Sequence, residues 1–433
     1  MGSSSVHVKE SVMITPSDPT PSCVLSLSAL DSQLFLRFTI EYLLVYRAQP
    51  GLDPCAVTAR IKAALGKALV PYYPLAGRVR AKPDGSSLEV LCRAQGAVFV
   101  EAVCDDQSIS DFERAPRYVS QWRKLLFFQV ADVLQGAPPL VLQLTWLKDG
   151  NATLGVGMSH CICDGVGSVE FLNSFSELAK LGETKQKPVW DRHLLNPSPV
   201  KPPRLIHPEF NRVPDLCSFS ARFSNERLLT PTSITFEKRS LNELKKLALL
   251  TTRLSESSLT SFEVLSAHVW RSWARSLNLP QNQILKLLFS INVRNRVKPS
   301  LPRGFYGNAM VLGCAQSSMK ELEQKGLGYA AMLVKRAKER VDSEYVKSVV
   351  ESVNGGRASP DLVGVLIMSQ WSRLGLDMVD FGMGRPVHVG PVCCDRYCLV
   401  LPGCNRAEAV KVMVAVPSNS VDKYEFLVRS LSS

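Results

Sequence analysis

The chain has 433 residues, 45% of them apolar and 21% charged, and a formal net charge of +12. That is an ordinary globular composition, long enough for two or three domains. No apolar run approaches the ~20 residues that a membrane-spanning helix needs. Lys and Arg are spread along the whole chain rather than gathered into blocks with aromatics between them, so a nucleic-acid surface is not expected. An anionic small molecule is a better use of the basic surplus. Twelve cysteines are scattered without the two-pair spacing of a zinc site and are expected to stay reduced. The first ten residues lack the apolar core of a signal peptide, and Leu431-Ser432-Ser433 is not a peroxisomal tripeptide. A cytoplasmic protein is expected.

In chain order, Val8 to Ile14 reads as an edge strand, and an apolar stretch runs from Leu34 to Tyr46. Pro54 to Leu69 carries Val57, Ile61, Leu65 and Leu69 at i, i+4 spacing, which predicts an amphipathic helix. Strands are predicted at 87–92, 97–101 and 140–147. The Asp149-Gly150 pair then marks a hairpin turn into a further strand that ends near Ser159. A helix is predicted over 166–180. Residues 183–216 hold seven prolines, which exclude a regular helix or central strand, so an extended crossing segment is expected there. The second half alternates: strand 232–236, helix 241–250, helix 261–277, strand 285–293, helices near 319–341 and 344–355, then strands near 363–370, 386–390, 397–401 and 409–416. The pattern is α/β, with units expected at 1–182 and 217–433 on either side of the crossing segment.

Chemistry concentrates at Met158-Ser159-His160-Cys161-Ile162-Cys163-Asp164-Gly165, between a strand and a helix. Such a turn holds a side chain on a rigid frame. A neutral imidazole at His160 is a candidate general base; the alternative is a histidine satisfied in the core. Asp164 is read as structural, either capping the following helix or pairing with an arginine. A Cys161 nucleophile beside His160 is conceivable, but sequence neighbours on a strand point to opposite faces.

The His160-x-x-x-Asp164-Gly165 motif resembles that of the plant BAHD acyl-CoA-dependent acyltransferases. So does Asp380-Phe381-Gly382-Met383-Gly384-Arg385-Pro386, which is similar to the family's Asp-Phe-Gly-Trp-Gly-Lys/Arg-Pro and follows in the same order. Further likenesses are spread along the chain: Tyr72 to Arg78, Gly96 to Ala102, Thr260 to Glu263, Asn292-Val293-Arg294-Asn295-Arg296 and Gly304-Phe305-Tyr306-Gly307-Asn308. The resemblance implies two chloramphenicol-acetyltransferase-like α/β domains joined by a crossover loop, with a channel between them and His160 at its centre. It implies a monomer that uses acyl-CoA as cosubstrate, with no bound cofactor or metal. It also implies that Asp164 pairs with an arginine of the Arg-x-Arg stretch, Arg294 first and Arg296 second, and that Gly165 leaves room beside the thioester.

The second motif, Asp380 to Gly384, is expected to be a structural loop. Met383 stands where the family has Trp, and a thioether cannot donate a hydrogen bond. The start of the 261–277 helix, with the hydroxyls of Ser258, Thr260 and Ser261, suits a coenzyme A phosphate; a plain helix cap is the alternative. The sequence is similar to the branch containing hydroxycinnamoyl-CoA:ω-hydroxyacid or fatty-alcohol transferases and benzoyl-CoA:alcohol transferases. The expected reaction is transfer of an aromatic or hydroxycinnamoyl group from a CoA thioester to an alcohol. An N-acyltransferase acting on an amine, or a weakly active CoA-ester-binding relative, are the alternatives.

Overall fold

The structure is a computed structural model, and it describes residues 6–85, 87–127, 133–198, 205–250, 259–354, 358–395, 397–404 and 408–431. The first half contains strands β1 (Val6–Ile14), β2 (Cys23–Ser26), β3 (Thr39–Tyr46), β4 (Arg78–Ala81), β5 (Leu88–Cys92), β6 (Ala97–Cys104), β7 (Leu140–Leu147) and β8 (Ala152–Ser159), with helices α1 (Pro54–Ala68) and α2 (Gly165–Leu181). The second half contains α3 (Phe219–Phe223), β9 (Leu229–Phe236), α4 (Lys238–Leu250), α5 (Ser261–Ser276), β10 (Ile284–Asn292) and β11 (Met310–Ser318). It continues with α6 (Met319–Gln324), α7 (Gly326–Glu339), α8 (Ser343–Val353), β12 (Val365–Gln370), β13 (His388–Pro391), β14 (Tyr397–Pro402), β15 (Val410–Pro417) and α9 (Val421–Arg429).

Two six-stranded sheets carry the molecule, in the orders β1-β6-β7-β8-β3-β13 and β11-β10-β12-β14-β15-β9. A small sheet, β2-β5-β4, stands beside the first. Each large sheet has its own apolar core: Tyr42, Val57, Ile61, Leu65 and Phe171 belong to the first, and Leu265, Val269, Trp270 and Trp273 to the second. The helix predicted from its i, i+4 apolar positions is α1, whose Asp53 cap accepts a hydrogen bond from the Cys55 N–H. Every residue of β7 and β8 is buried, as expected of strands covered on both faces.

Two local expectations change. The helical stretch near 319–341 is two helices, because Gly326 takes a positive φ of 78° and breaks the run. Strands β2, β3, β4 and β11 and helices α3 and α9 are additional to those predicted. All are stretches of nine residues or shorter, in which periodicity is hard to separate from that of loops, and β11 is also apolar at consecutive positions rather than alternating. Residues 199–204 of the expected crossing segment lie outside the described residues.

The chain also crosses between sheets a second time. After β12 it leaves the second sheet and places Trp371, Leu376, Val379, Phe381 and Met383 in the first core. It then runs as β13 antiparallel to β3, with His388 opposite Val45, before re-entering the second sheet as β14. Residues 371–391 of the second half are thus built into the first sheet and its core.

β8 is tightly covered where it approaches the turn. A Cβ on Gly155 would lie 2.2 Å from the Leu125 carbonyl oxygen. Gly155→Ala is therefore expected to destabilise the fold by about 1–3 kcal/mol through overpacking. Thermal or urea unfolding checks this, and a variant that unfolds with the parent protein would mean that the 122–126 segment yields freely.

Candidate active site

Strand β8 ends at Ser159, and the turn begins with the His160 N–H donating to the Phe38 carbonyl at 2.9 Å. The turn closes where α2 starts. Asp164 is the N-cap: its Oδ1 accepts from the Gly167 N–H at 3.0 Å. The same carboxylate receives both terminal nitrogens of Arg294, at 2.8 and 3.1 Å, and the Ala309 N–H at 3.0 Å. Asp164 therefore caps the helix and pairs with an arginine at once. Burial pushes its carboxyl up, but the Arg294 charge and these hydrogen bonds outweigh it and hold it below the usual carboxylate range. Arg294 also donates to the Gly307 carbonyl at 3.1 Å. Arg296 does not join this group; it donates to the Lys338 and Val341 carbonyls near the end of α7.

The His160 ring is held by residues that the motif does not contain. Its Nδ1 lies 2.9 Å from Asn308 Oδ1. The Asn308 amide nitrogen donates to the His160 carbonyl at 2.7 Å and to Asp31 Oδ1 at 2.8 Å. Two acceptors around the nitrogen orient the amide, so its oxygen faces the imidazole and accepts from Nδ1–H. Nε2 is then the unprotonated nitrogen.

Asp31 is itself fixed. It accepts from the Asn308 N–H at 2.8 Å and from the Ser28 N–H and hydroxyl at 2.9 and 2.7 Å, and it pairs with Arg192 at 2.7 Å. Arg192 belongs to the proline-rich crossing segment, is 2% exposed, and also donates to the Ile162 carbonyl at 2.6 Å inside the turn. Thus Arg192, Asp31, Asn308 and His160 form one buried chain of polar contacts.

His160 is 9% exposed, with the Phe38 ring 5.1 Å away. Phe38 in turn stacks on Tyr397 of β14 at 6.2 Å, so groups from both sheets surround the imidazole. Burial pulls the imidazole pKa below its ordinary value, which keeps the ring neutral and able to take a proton at neutral pH. The neighbouring thiols are not equipped to compete. Burial pushes Cys161 up to about 11 and Cys163 up to about 12, far from the thiolate that nucleophilic attack requires. A Cβ on Gly165 would lie 3.1 Å from Leu374 Cδ1, so this glycine permits close approach of the 371–374 segment.

The second motif lies apart from this chain of contacts and is a folded loop. Asp380 Oδ1 accepts from the Gly382 and Gly384 N–H groups at 2.8 and 2.9 Å, and its other oxygen pairs with Lys180 of α2 at 2.5 Å. Gly382 and Gly384 have φ of 86° and 92°, a region that side chains disfavour. Phe381 and Met383 are buried in the first core, and the Phe381 carbonyl accepts from Arg60 of α1 at 3.1 Å. Trp371 is likewise a core residue, packed 4.7 Å from Tyr42.

At the start of α5, Thr260 and Glu263 form a reciprocal capping box, with Thr260 N–H to Glu263 at 2.8 Å and Glu263 N–H to the Thr260 hydroxyl at 3.3 Å. Ser261 is the first residue of the helix, and Ser258 lies outside the described residues. Among the described residues, no helix is long and apolar enough to cross a membrane.

Asn308, Asp31 and Arg192 were not singled out from the sequence. Asn308 closes the Gly304–Asn308 element, but nothing in that stretch says that its amide meets a histidine 148 positions away.

The family model described as the Transferase family matches residues 4–427. An omega-hydroxypalmitate O-feruloyl transferase of Arabidopsis thaliana is 34% identical, over 97% of this chain and 92% of its own length. Among solved structures, vinorine synthase superposes with a TM-score of 0.74 at 19% identity, covering 97% of this chain and 96% of its own. The F. graminearum TRI101 complex with coenzyme A and T-2 mycotoxin also gives 0.74, at 15% identity, covering 93% and 96%. At those identities the two structures speak for the fold, a pair of chloramphenicol-acetyltransferase-like α/β units. With a family model and a relative both matched over nearly its whole length, this chain belongs to the Transferase family of BAHD acyltransferases and is an acyl-transferring enzyme.

Proposed function

We propose that the enzyme transfers a hydroxycinnamoyl or related aromatic acyl group from a CoA thioester to an alcohol, with His160 as general base. One observation carries the role of His160: Nδ1–H is engaged by Asn308, leaving the Nε2 lone pair as the acceptor. The Arabidopsis relative supports the donor and acceptor classes, since its name states feruloyl transfer to the oxygen of an ω-hydroxy acid.

In this reading the acceptor hydroxyl approaches His160 Nε2. An alcohol is a weak nucleophile until its proton leaves in the transition state, and the imidazole takes that proton as the oxygen attacks the thioester carbonyl. The tetrahedral intermediate collapses, the carbon–sulfur bond breaks, and coenzyme A thiolate leaves with the proton returned from the ring. Met383 supplies no hydrogen-bond donor to the oxyanion: it is 1% exposed in the first core and its thioether carries no N–H. Asp164 and Arg294 position the turn without touching substrate. Coenzyme A phosphates fit the start of α5 near Thr260 and Ser261, since the Thr260 hydroxyl accepts in the cap and keeps its own proton to donate.

The direct test is thiol release from p-coumaroyl-, caffeoyl-, feruloyl-, benzoyl- and acetyl-CoA, each crossed with ω-hydroxy fatty acids, fatty alcohols, aromatic alcohols and amines. Turnover with the aromatic donors and an alcohol is expected. Turnover confined to amines or to acetyl-CoA would overturn the substrate assignment.

His160→Ala should lower kcat by about 10²–10⁴-fold while circular dichroism and the unfolding midpoint stay near those of the parent protein. Near-normal turnover would remove the general-base role. Because the imidazole pKa is depressed, the neutral base persists through neutral pH. kcat/KM should then be flat there and fall on the acid side with an apparent midpoint below 6.5; an acid limb centred above that value would point to another group. Asp164→Asn leaves Arg294 buried without its counter-charge, an error that costs about 3–5 kcal/mol. Its unfolding midpoint should drop sharply, while the acid limb of surviving activity moves only slightly, and to lower pH, because the Asp164 charge raises the His160 pKa. A large shift of the limb at unchanged stability would make Asp164 part of the proton chemistry.

A further inference from the structure

Two cysteines oppose each other in the small sheet, outside the side chains that hold the His160 ring. β2 runs antiparallel to β5 with Cys23 opposite Cys92 and Leu25 opposite Val90. Residues facing each other in an antiparallel ladder have Cα atoms about 4.5 or 5.5 Å apart, according to whether the pair exchanges hydrogen bonds. Both spacings fall inside the window of roughly 4.4–6.8 Å that a disulfide spans, and the two Cβ atoms project from the same face. The Cys23 thiol lies close enough to the Cys92 thiol and the Tyr73 hydroxyl to perturb both. Among the described strand pairings, this is the place where two cysteines are partners. The sulfurs are also unequal. Cys23 is exposed on an edge strand, and Cys92 is 1% exposed behind it.

We propose that Cys23 and Cys92 form a reversible modification site, oxidised to a cross-strand disulfide by a small-molecule disulfide of the glutathione type. The Cys23 thiolate attacks one sulfur of the reagent, whose S–S bond breaks and releases one thiol. The Cys92 thiolate then attacks the Cys23 sulfur of the mixed disulfide and expels the second thiol. The protein loses two electrons and two protons, and the reagent is reduced to two thiols. Burial pushes the Cys92 thiol up to about 12, which makes the second step the slower one and quickens it as pH rises.

The bond has a place in the larger fold. The ladder continues from β2 to Leu27, whose N–H donates to the Leu88 carbonyl at 3.0 Å, and Ser28 follows with its two hydrogen bonds to Asp31. A Cys23–Cys92 disulfide therefore ties down the strand that leads into the carboxylate beneath Asn308.

The test uses the full-length protein without denaturant. The protein is incubated with oxidised glutathione at mildly alkaline pH, free thiols are alkylated, and the unreduced digest is mapped by mass spectrometry. The expected result is a linked Cys23–Cys92 peptide that disappears after dithiothreitol and does not form in Cys23→Ser, a change at an exposed position. Two results would overturn the proposal: Cys23 held as a persistent mixed disulfide with glutathione while Cys92 remains alkylatable, or Cys92 recovered in a link to any other cysteine.

Discussion

The buried ion pair between Asp164 and Arg294 is the constraint on which the site depends. It joins residues 130 positions apart, one in a turn of the first sheet and one just after β10 of the second. Two charges removed from water are tolerated only when paired in good geometry with their remaining valences filled. Here the carboxylate has two guanidinium hydrogen bonds and two backbone N–H donors, and the guanidinium has a carbonyl besides. Moving either sheet relative to the other would break several of these contacts at once, so the pair sets both the shape of the turn and the relation of the two units.

A second polar chain acts from the other side of the turn. Arg192 reaches from the crossing segment to the Ile162 carbonyl and to Asp31, and Asp31 orients Asn308 against the imidazole. Each member is buried and has a partner of opposite polarity, although Arg192 Nε is left without a hydrogen-bond partner. The result is directional. A ring that could rotate or exchange tautomers is held with one nitrogen committed to Asn308 and the other left to accept a proton. The crossing segment is therefore more than a connection: it supplies the cation at the far end of the network.

The second motif works by different physics and lies outside the polar network at His160. Asp380 gathers two glycine N–H groups and one lysine to fold a loop that buries Phe381 and Met383 under α1 and α2. That loop lets a segment from the second half of the chain join the first sheet as β13. Where an indole is usual in the family motif, this chain packs a thioether, which fills core volume without requiring a hydrogen-bond partner. The crossing of 371–391 into the first core and the Asp164–Arg294 pair together make the two sheets a single mechanical unit.

Periodicity alone determined much of the secondary structure, since apolar spacing in α1, α2 and α5 and the Asp-Gly turn between β7 and β8 are properties of contiguous residues. The short motifs likewise determined the turn, its histidine and the family, because a strand, a histidine, a capping aspartate and a glycine need only local sequence to be recognised. Tertiary structure decided everything that joins distant residues. It chose Arg294 over Arg296, made Asp164 both cap and ion-pair partner, and brought Asn308, Asp31 and Arg192 to the imidazole. It also sent β13 back to the first sheet. None of these leaves a local trace: an asparagine that orients a histidine 148 residues away has the same neighbours in sequence as one that faces solvent. Hydrogen bonds and ion pairs select by distance and angle in space, and only the folded chain supplies those.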